Sequence, residues 1–586
     1  QERWDRKQPA PSLCSSMKMQ ASVAVLLLPL LAAGAEVPVA GQPPAGGLRK
    51  RSQEPARPVL QAALEHTLSA GELQAASARS VRLEAALRGT FASLPKSESG
   101  TVGAAAVRYA LHRLFLQLHG WQLQGLNAAG GNWSSASPIT AFGDRVSEEA
   151  KGIFEDHLST KGFTLEELAL LAAMLEHTVH GQIESQLRSI FRALEHPVNA
   201  TLEPSSAVRV IDAYMAGYIL GEDSSAMTRQ TLRQLDRTIE EQHPTWPETK
   251  LFLREVQREL FPTASTFFFS DVVAVVEEAA DRFGQWQSKE CLAMKRQLVN
   301  IEDFKGSGRV RLAEFYRGAV YGDVKRQFSE SLDYLRRLGA VDDTDASGPR
   351  VIIPNYIYSP TNCLASSSFY AVCCIDECDE LLSHLESSLG RPTATPEEIV
   401  DLVSGLHSAS SNGTLPAGLV KRLHEVAEHH GGQVPLHGRL LAQWLHHAFP
   451  RECPYPHVSG TTALQRPEEW ELAVGQGSTA SDEEMAQHIG AARGQQPPQP
   501  QGADEGLCSP MWTMEEELLD AHAHEAVRSA TVAAERASVV RAAARSGAVL
   551  VAVGSLVWAL VKMLRTGCAA GGPCGSKAMK LPRYTI

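Results

Sequence analysis

Several catalytic signatures are missing from this chain. It has no glycine-rich loop of the kind that cradles phosphate and no Gly-x-Ser-x-Gly elbow, so the commonest nucleotide-dependent and serine-hydrolase readings find no support. No Cys-x-x-Cys pair stands among its 10 cysteines, which removes the usual thiolate zinc framework. A positive balance is absent too, and a net charge of −12 argues against a nucleic-acid partner. Strand-like alternation is scarce, Val351-Ile-Ile353 being the one good candidate. Long apolar runs occur only near the two ends, and there they are informative.

Before Met17 or Met19 the residues read as upstream of the true start. Lys18, the apolar stretch Val23 to Ala33 and the small residues Ala33-Gly34-Ala35 then describe a signal peptide at 17–35, cleaved before Glu36. Its apolar run is too short to span a bilayer core of about 30 Å. A Pro/Gly-rich linker at 36–55 follows, whose Arg49-Lys50-Arg51 is either a processing site or plain basic linker. At the other end, Ser546 to Val561 carries no charge, and Lys562 can snorkel while Met563 and Leu564 lengthen the run, which predicts a transmembrane helix at 546–564. Arg565, Lys577, Lys580 and Arg583 make a tail, 565–586, without an acid, suited to the cytosolic leaflet. The expected topology is a single-pass type I protein of the secretory pathway or cell surface. Cys568 and Cys574 in the tail are either acylated or free thiols.

Secretion makes the cysteines structural. Cys291, Cys363, Cys373, Cys374, Cys378, Cys453 and Cys508 would lie on the oxidising side, where most should pair and one is left over. Vicinal Cys373 and Cys374 must reach different partners, so the cluster from Cys363 to Cys453 reads as a staple. Sequons at Asn132, Asn199 and Asn412 would carry glycans there.

Helix signals dominate the remainder. Thr164-Leu-Glu-Glu167 is a capping box, and Leu165, Leu168, Ala172, Leu175, Val179, Ile183, Leu187, Ile190 and Leu194 follow at helical spacing until Pro197. Thr395-Pro-Glu-Glu398 repeats the signal, with proline in the first turn. We therefore expect an all-α, multi-helix ectodomain. Breaks in composition divide it into a helical domain at 56–260, a helical region at 265–345 and a Cys-stapled helical domain at 350–470. A flexible linker at 475–508 and a juxtamembrane helix at 511–545 then lead to the span. No fixed-period repeat is evident.

The best chemical candidate is Asp303-Phe-Lys-Gly-Ser-Gly-Arg-Val-Arg-Leu-Ala-Glu314. Set against the twelve-residue calcium loop, Asp303 takes position 1, Ser307 position 5, Gly308 the sharp turn at 6, Arg309 position 7, Val310 the apolar position 8 and Glu314 position 12. Helical segments at Cys291 to Glu302 and Leu312 to Tyr321 flank it, so the stretch resembles an EF-hand. The resemblance implies calcium as cofactor, with Asp303, Ser307, Arg309 and Glu314 as candidate metal ligands. Lys305 departs from the pattern at position 3, and with Arg309 and Arg311 it sets three cations against two carboxylates, which predicts weak or absent calcium binding. No second loop is visible. Outside the loop the chain resembles single-pass membrane proteins of single-celled eukaryotes, a likeness that implies no activity.

An enzyme reading would rest on His424-Glu-Val-Ala-Glu-His429-His430. The spacing misses the His-Glu-x-x-His zinc motif and its inverse by one residue each, although His424 and Glu428 share a helix face and His437, His446, His447 and His457 follow. The preferred expectation is a non-enzymatic membrane glycoprotein whose helical ectodomain binds a protein partner or acts as a scaffold. A metal-dependent hydrolase using the His424 to His457 region is the alternative.

Overall fold

A computed structural model describes residues 70–126, 137–146, 148–222, 227–321, 327–345, 347–364, 367, 369–406, 415–492 and 511–519. With 63% helix against 7% strand, the fold is all-α as expected. Among the described residues no helix is long and apolar enough to cross a membrane. The expected signal peptide at 17–35, linker at 36–55, span at 546–564 and tail at 565–586 lie outside those residues, as do Asn132, Asn412 and Cys508. Asn199 is described and exposed.

Helices α1 (Ala70–Ser93), α2 (Ala104–His119), α3 (Glu148–Lys161), α4 (Leu165–Ala193), α5 (Pro204–Leu220), α6 (Arg229–Gln242), α7 (Trp246–Leu260) and α8 (Phe269–Asn300) surround the first core. The capping box that opens α4 is formed: Glu167 N donates to Thr164 Oγ1 at 3.3 Å and Thr164 N to Glu167 Oε2 at 2.8 Å. Its apolar positions from Leu168 to Ile190 are buried, and the helix packs along α1. Helix α2 ends at Gly120, in the left-handed region with φ 69°. A Cβ built on Gly284 of α8 would stand 2.0 Å from the His119 carbonyl oxygen, so only glycine lets the end of α2 lie directly on α8. Strand β1 (Trp121–Leu123) leaves from that contact.

The far end of α8 enters a second core through Cys291 and Leu298. There β2 (Arg309–Arg311) leads into α9 (Leu312–Tyr321), and α10 (Leu332–Arg337) is followed by β3 (Val341–Asp342), β4 (Arg350–Ile352) and α11 (Ile353–Ile357). The sheet order is β2-β4-β3, all antiparallel, with buried Val310 directly opposite buried Val351. The strand foreseen at Val351 exists, and Ile353 already belongs to the helix whose first turn holds Pro354.

Strand β5 (Tyr370–Val372) pairs back onto β1 and precedes α12 (Glu377–Leu389), β6 (Thr393–Ala394), α13 (Pro396–Ser404), α14 (Ala417–His429), β7 (Val434–Pro435) and α15 (Arg439–Ala448). Helices α12 to α15 enclose a third core. The Thr395 cap of α13 is formed as read, with Glu398 N donating to Thr395 Oγ1 at 3.3 Å and Thr395 N to Glu398 Oε2 at 2.9 Å. Disulfides join Cys291 to Cys374, Cys363 to Cys373 and Cys378 to Cys453, so the vicinal pair does reach two different partners.

Two expectations need correction. Helix α16 (Pro467–Val474) precedes the stretch 475–508 assigned to a spacer, and within that stretch α17 (Asp482–Ala491) forms and buries Met485 and Ile489 in the second core. Ser481 caps it by accepting from Glu484 N at 3.1 Å, a short-range signal strong enough to override the polar composition downstream. Residues 511–519, expected to open a juxtamembrane helix, form an extended strap across the third core instead. Its main chain and carboxylates find partners on α15 that a helix could not reach, and Leu519 ends buried in the first core.

Candidate functional site

Within the loop after α8, Gly306 and Gly308 adopt φ of 87° and 63°, the left-handed turns that the glycine positions demand. The acid beneath the turn is Glu302, one residue ahead of the expected ligand. Gly306 N donates to its Oε1 at 2.8 Å and Gly308 N to its Oε2 at 3.4 Å, while Arg451 closes the same carboxylate from the third core.

The four predicted ligands are gathered around the loop, and each has another partner. Asp303 Oδ1 accepts from Arg311 N at 3.1 Å, and Asp303 Oδ2 lies 2.9 Å from Arg350 Nε. Ser307 Oγ donates to the Arg309 carbonyl at 3.2 Å, and that same carbonyl, the position-7 oxygen, accepts from Asp303 N at 2.9 Å. Arg309 Nε donates to Asp342 Oδ2 at 2.8 Å. Glu314 takes Arg317 at 2.7 Å and Arg311 at 3.5 Å.

Arg350 also meets Asp345 at 2.6 Å, so one guanidinium bridges the loop before β2 and the loop before β4. Burial lifts the Asp303 carboxyl above its ordinary range even with Arg350 beside it. Burial also opposes ionisation of Asp342, but Arg309 and two hydrogen bonds from Thr344 outweigh it and hold that carboxyl below its usual range.

The histidines of the hydrolase alternative do not converge. His424 is exposed and lies 3.8 Å from Glu397, while Glu428 is also exposed. His437 Nε2 contacts Glu386 at 2.8 Å and His457 Nε2 the Gly339 carbonyl at 2.7 Å. His446 Nδ1 donates to the Cys453 carbonyl at 2.7 Å, and burial, with Arg309 and His447 near, holds its pKa well below the ordinary value.

Two others hold the strap. His430 Nε2 meets Glu516 at 2.7 Å, and the His447 ring lies 5.7 Å from that of Trp512. Glu516 also accepts from Leu440 N at 3.1 Å, supplying the cap that Gly438 cannot give to α15. A cleft of about 260 Å³ between β1, Pro360 and Arg466 contains no convergent set of titratable groups beyond the Arg466–Glu469 pair.

One polar cluster in the first core went unread in the sequence. Glu176 is completely buried in the middle of α4, beside His119 from the end of α2 and Asp281 from α8. The signal was available: Glu176 and His180 stand one turn apart directly after the apolar run Leu171-Ala-Ala-Met-Leu175, on a helix whose face is buried. No protein-family model matches the chain, and no curated protein or solved structure matches it.

Proposed function

We propose that this chain is a non-enzymatic type I membrane glycoprotein whose disulfide-stapled helical body serves as a binding or scaffold module on the luminal or extracellular side. The EF-hand-like unit acts in it as a calcium-independent joint. One observation carries this reading: guanidinium groups already neutralise the carboxylates at positions 1 and 12, Asp303 by Arg350 and Glu314 by Arg311 and Arg317. Calcium needs six to eight oxygens, and here the position-7 carbonyl is turned to the main chain. The partner of the unit is the segment α10–β4–α11, set against it through the Val310–Val351 pair. Disulfides spaced 83 and 75 residues apart, together with an exposed Asn199 sequon, suit the secretory compartment.

The test has two readouts on the full chain expressed in a secretory host. Thermal melting followed during a calcium titration is expected to show no shift. A rise that Glu314→Gln abolishes would replace the joint with a calcium sensor. In sealed microsomes the Asn199 glycan and the disulfides are expected on the luminal side, protected from outside reagents, and a reduced, unglycosylated body on the cytosolic face would overturn the topology.

A further inference from the structure

Against burial, which opposes ionisation, His119, Arg82 and His180 hold the Glu176 carboxyl below its ordinary range, yet they leave one of its oxygens without a donor. Its side chain has no solvent exposure; Oε1 accepts from Arg82, and Oε2 has no hydrogen-bond partner among the described residues. A buried carboxylate oxygen without a donor is strongly unfavourable.

His119 sharpens the problem. Its Nδ1 lies 3.0 Å from the main-chain oxygen of Asp281, and since a carbonyl only accepts, Nδ1 carries the proton. Nε2 faces Glu176 Oε1 3.2 Å away, and in the tautomer that carries only the Nδ1 proton it offers that carboxylate a lone pair and no hydrogen. Nε2 makes no hydrogen bond.

We infer that His119, Glu176 and Asp281 form a buried site for a divalent transition-metal ion of the zinc class. One ligand atom from each of the three residues can be chosen so that all lie within 4.8 Å of one another. A cation among them would take one imidazole nitrogen and an oxygen from each carboxylate, and the two carboxylates balance its charge.

The surroundings have the form that such sites use. The remote imidazole nitrogen is held by a main-chain carbonyl, His180 Nε2 donates to Asp281 Oδ1 at 3.0 Å, and Arg82 anchors Glu176 through Oε1. Trp121 stacks on His119 with ring centroids 4.2 Å apart and fixes the plane of the ring. One imidazole and two carboxylates suit zinc or manganese better than calcium, which takes oxygen alone. Asp281, 17% exposed at its side chain, forms the entry edge. The close Gly284–His119 approach sets the distance between the two helices that supply His119 and Asp281.

The deciding experiment uses the full chain without an affinity tag, loaded with zinc, dialysed against metal-free buffer and assayed for metal by elemental analysis. Cobalt(II) loading adds a spectroscopic readout. One ion per chain is expected, with ligand-field bands from cobalt that His119→Gln removes. Glu176→Gln in so packed a place could prevent folding, so Asp281→Asn at the rim is the companion variant. It is expected to keep the wild-type circular dichroism and bind the ion at least about tenfold more weakly. Wild-type protein that retains no ion would overturn the inference, and the proton would then be what separates His119 from Glu176. Retention unchanged in both His119→Gln and Asp281→Asn would overturn it as well, because the ion would sit elsewhere.

Discussion

Arg350 Nε stands 2.9 Å from Asp303 Oδ2, across the strand pair that also brings Arg309 Nε within 2.8 Å of Asp342. The two contacts run in opposite directions, each loop sending an arginine to the other's aspartate, with Val310 and Val351 between them. Removing the Arg350 guanidinium leaves the buried Asp303 carboxylate with only the more distant Arg311, at 3.7 Å, as counter-charge. Arg350→Met is expected to lower stability by about 3–5 kcal/mol. Urea unfolding would show it, and the double variant Arg350→Met with Asp303→Leu should recover much of the loss. Equal stability of the single variant and wild type would mean that the crossing pairs contribute little.

The disulfides should differ in weight. Chain-entropy arguments assign about 4.5 kcal/mol to a bridge closing 83 residues and about 2.7 kcal/mol to one closing 10. Replacing Cys291 and Cys374 by serine is thus expected to depress the melting temperature more than replacing Cys363 and Cys373. The reverse order in scanning calorimetry would place the main constraint in the short loop.

Acid sensitivity should centre on Glu386. Burial opposes its ionisation, yet Arg113, His437 and Thr90 converge on the carboxylate and hold its pKa down at about 2 from an ordinary 4.5. An acid whose folded pKa is depressed adds stability that is complete above the unfolded value and disappears as pH falls toward the folded one. The window is therefore pH 4.5 to about 2, and the loss across it is about 3 kcal/mol. Unfolding midpoints across that range should fall more steeply in wild type than in Glu386→Gln. Parallel slopes would assign the acid transition to other carboxylates.

The all-α class and the two threonine caps were legible because capping and helical periodicity act over a few residues. Cysteine logic went as far as the divergent partners of Cys373 and Cys374, and the pairings themselves needed the fold. Long-range chemistry was not readable. Nothing near Asp303 announces Arg350, which lies 47 positions away, since 350 − 303 = 47. The segment that pairs with this loop was not foreseen either. Asp343, Asp345, Ser347 and Gly348 have the spacing of a calcium loop's first half, but Pro354 occupies the twelfth position. Strand pairing sets Val351, one residue past the apolar position of that register, opposite Val310. The Gln/Pro-rich run at 495–501 led the spacer to be drawn too far upstream, over the Ser481 cap.

The strap has a mechanical meaning. Arg439 grips the carbonyls of Glu515 and Glu517, Thr513 pairs with Gln443, and Ser459 holds the Glu517 carboxylate, while Leu519 is seated in a different core. These attachments are spread along nine residues, 511–519, and run side by side with α15 and the turn before it. A pull on the chain beyond Leu519 would load many of them together, so tension arriving from that side would reach both the first and the third core before the strap came away.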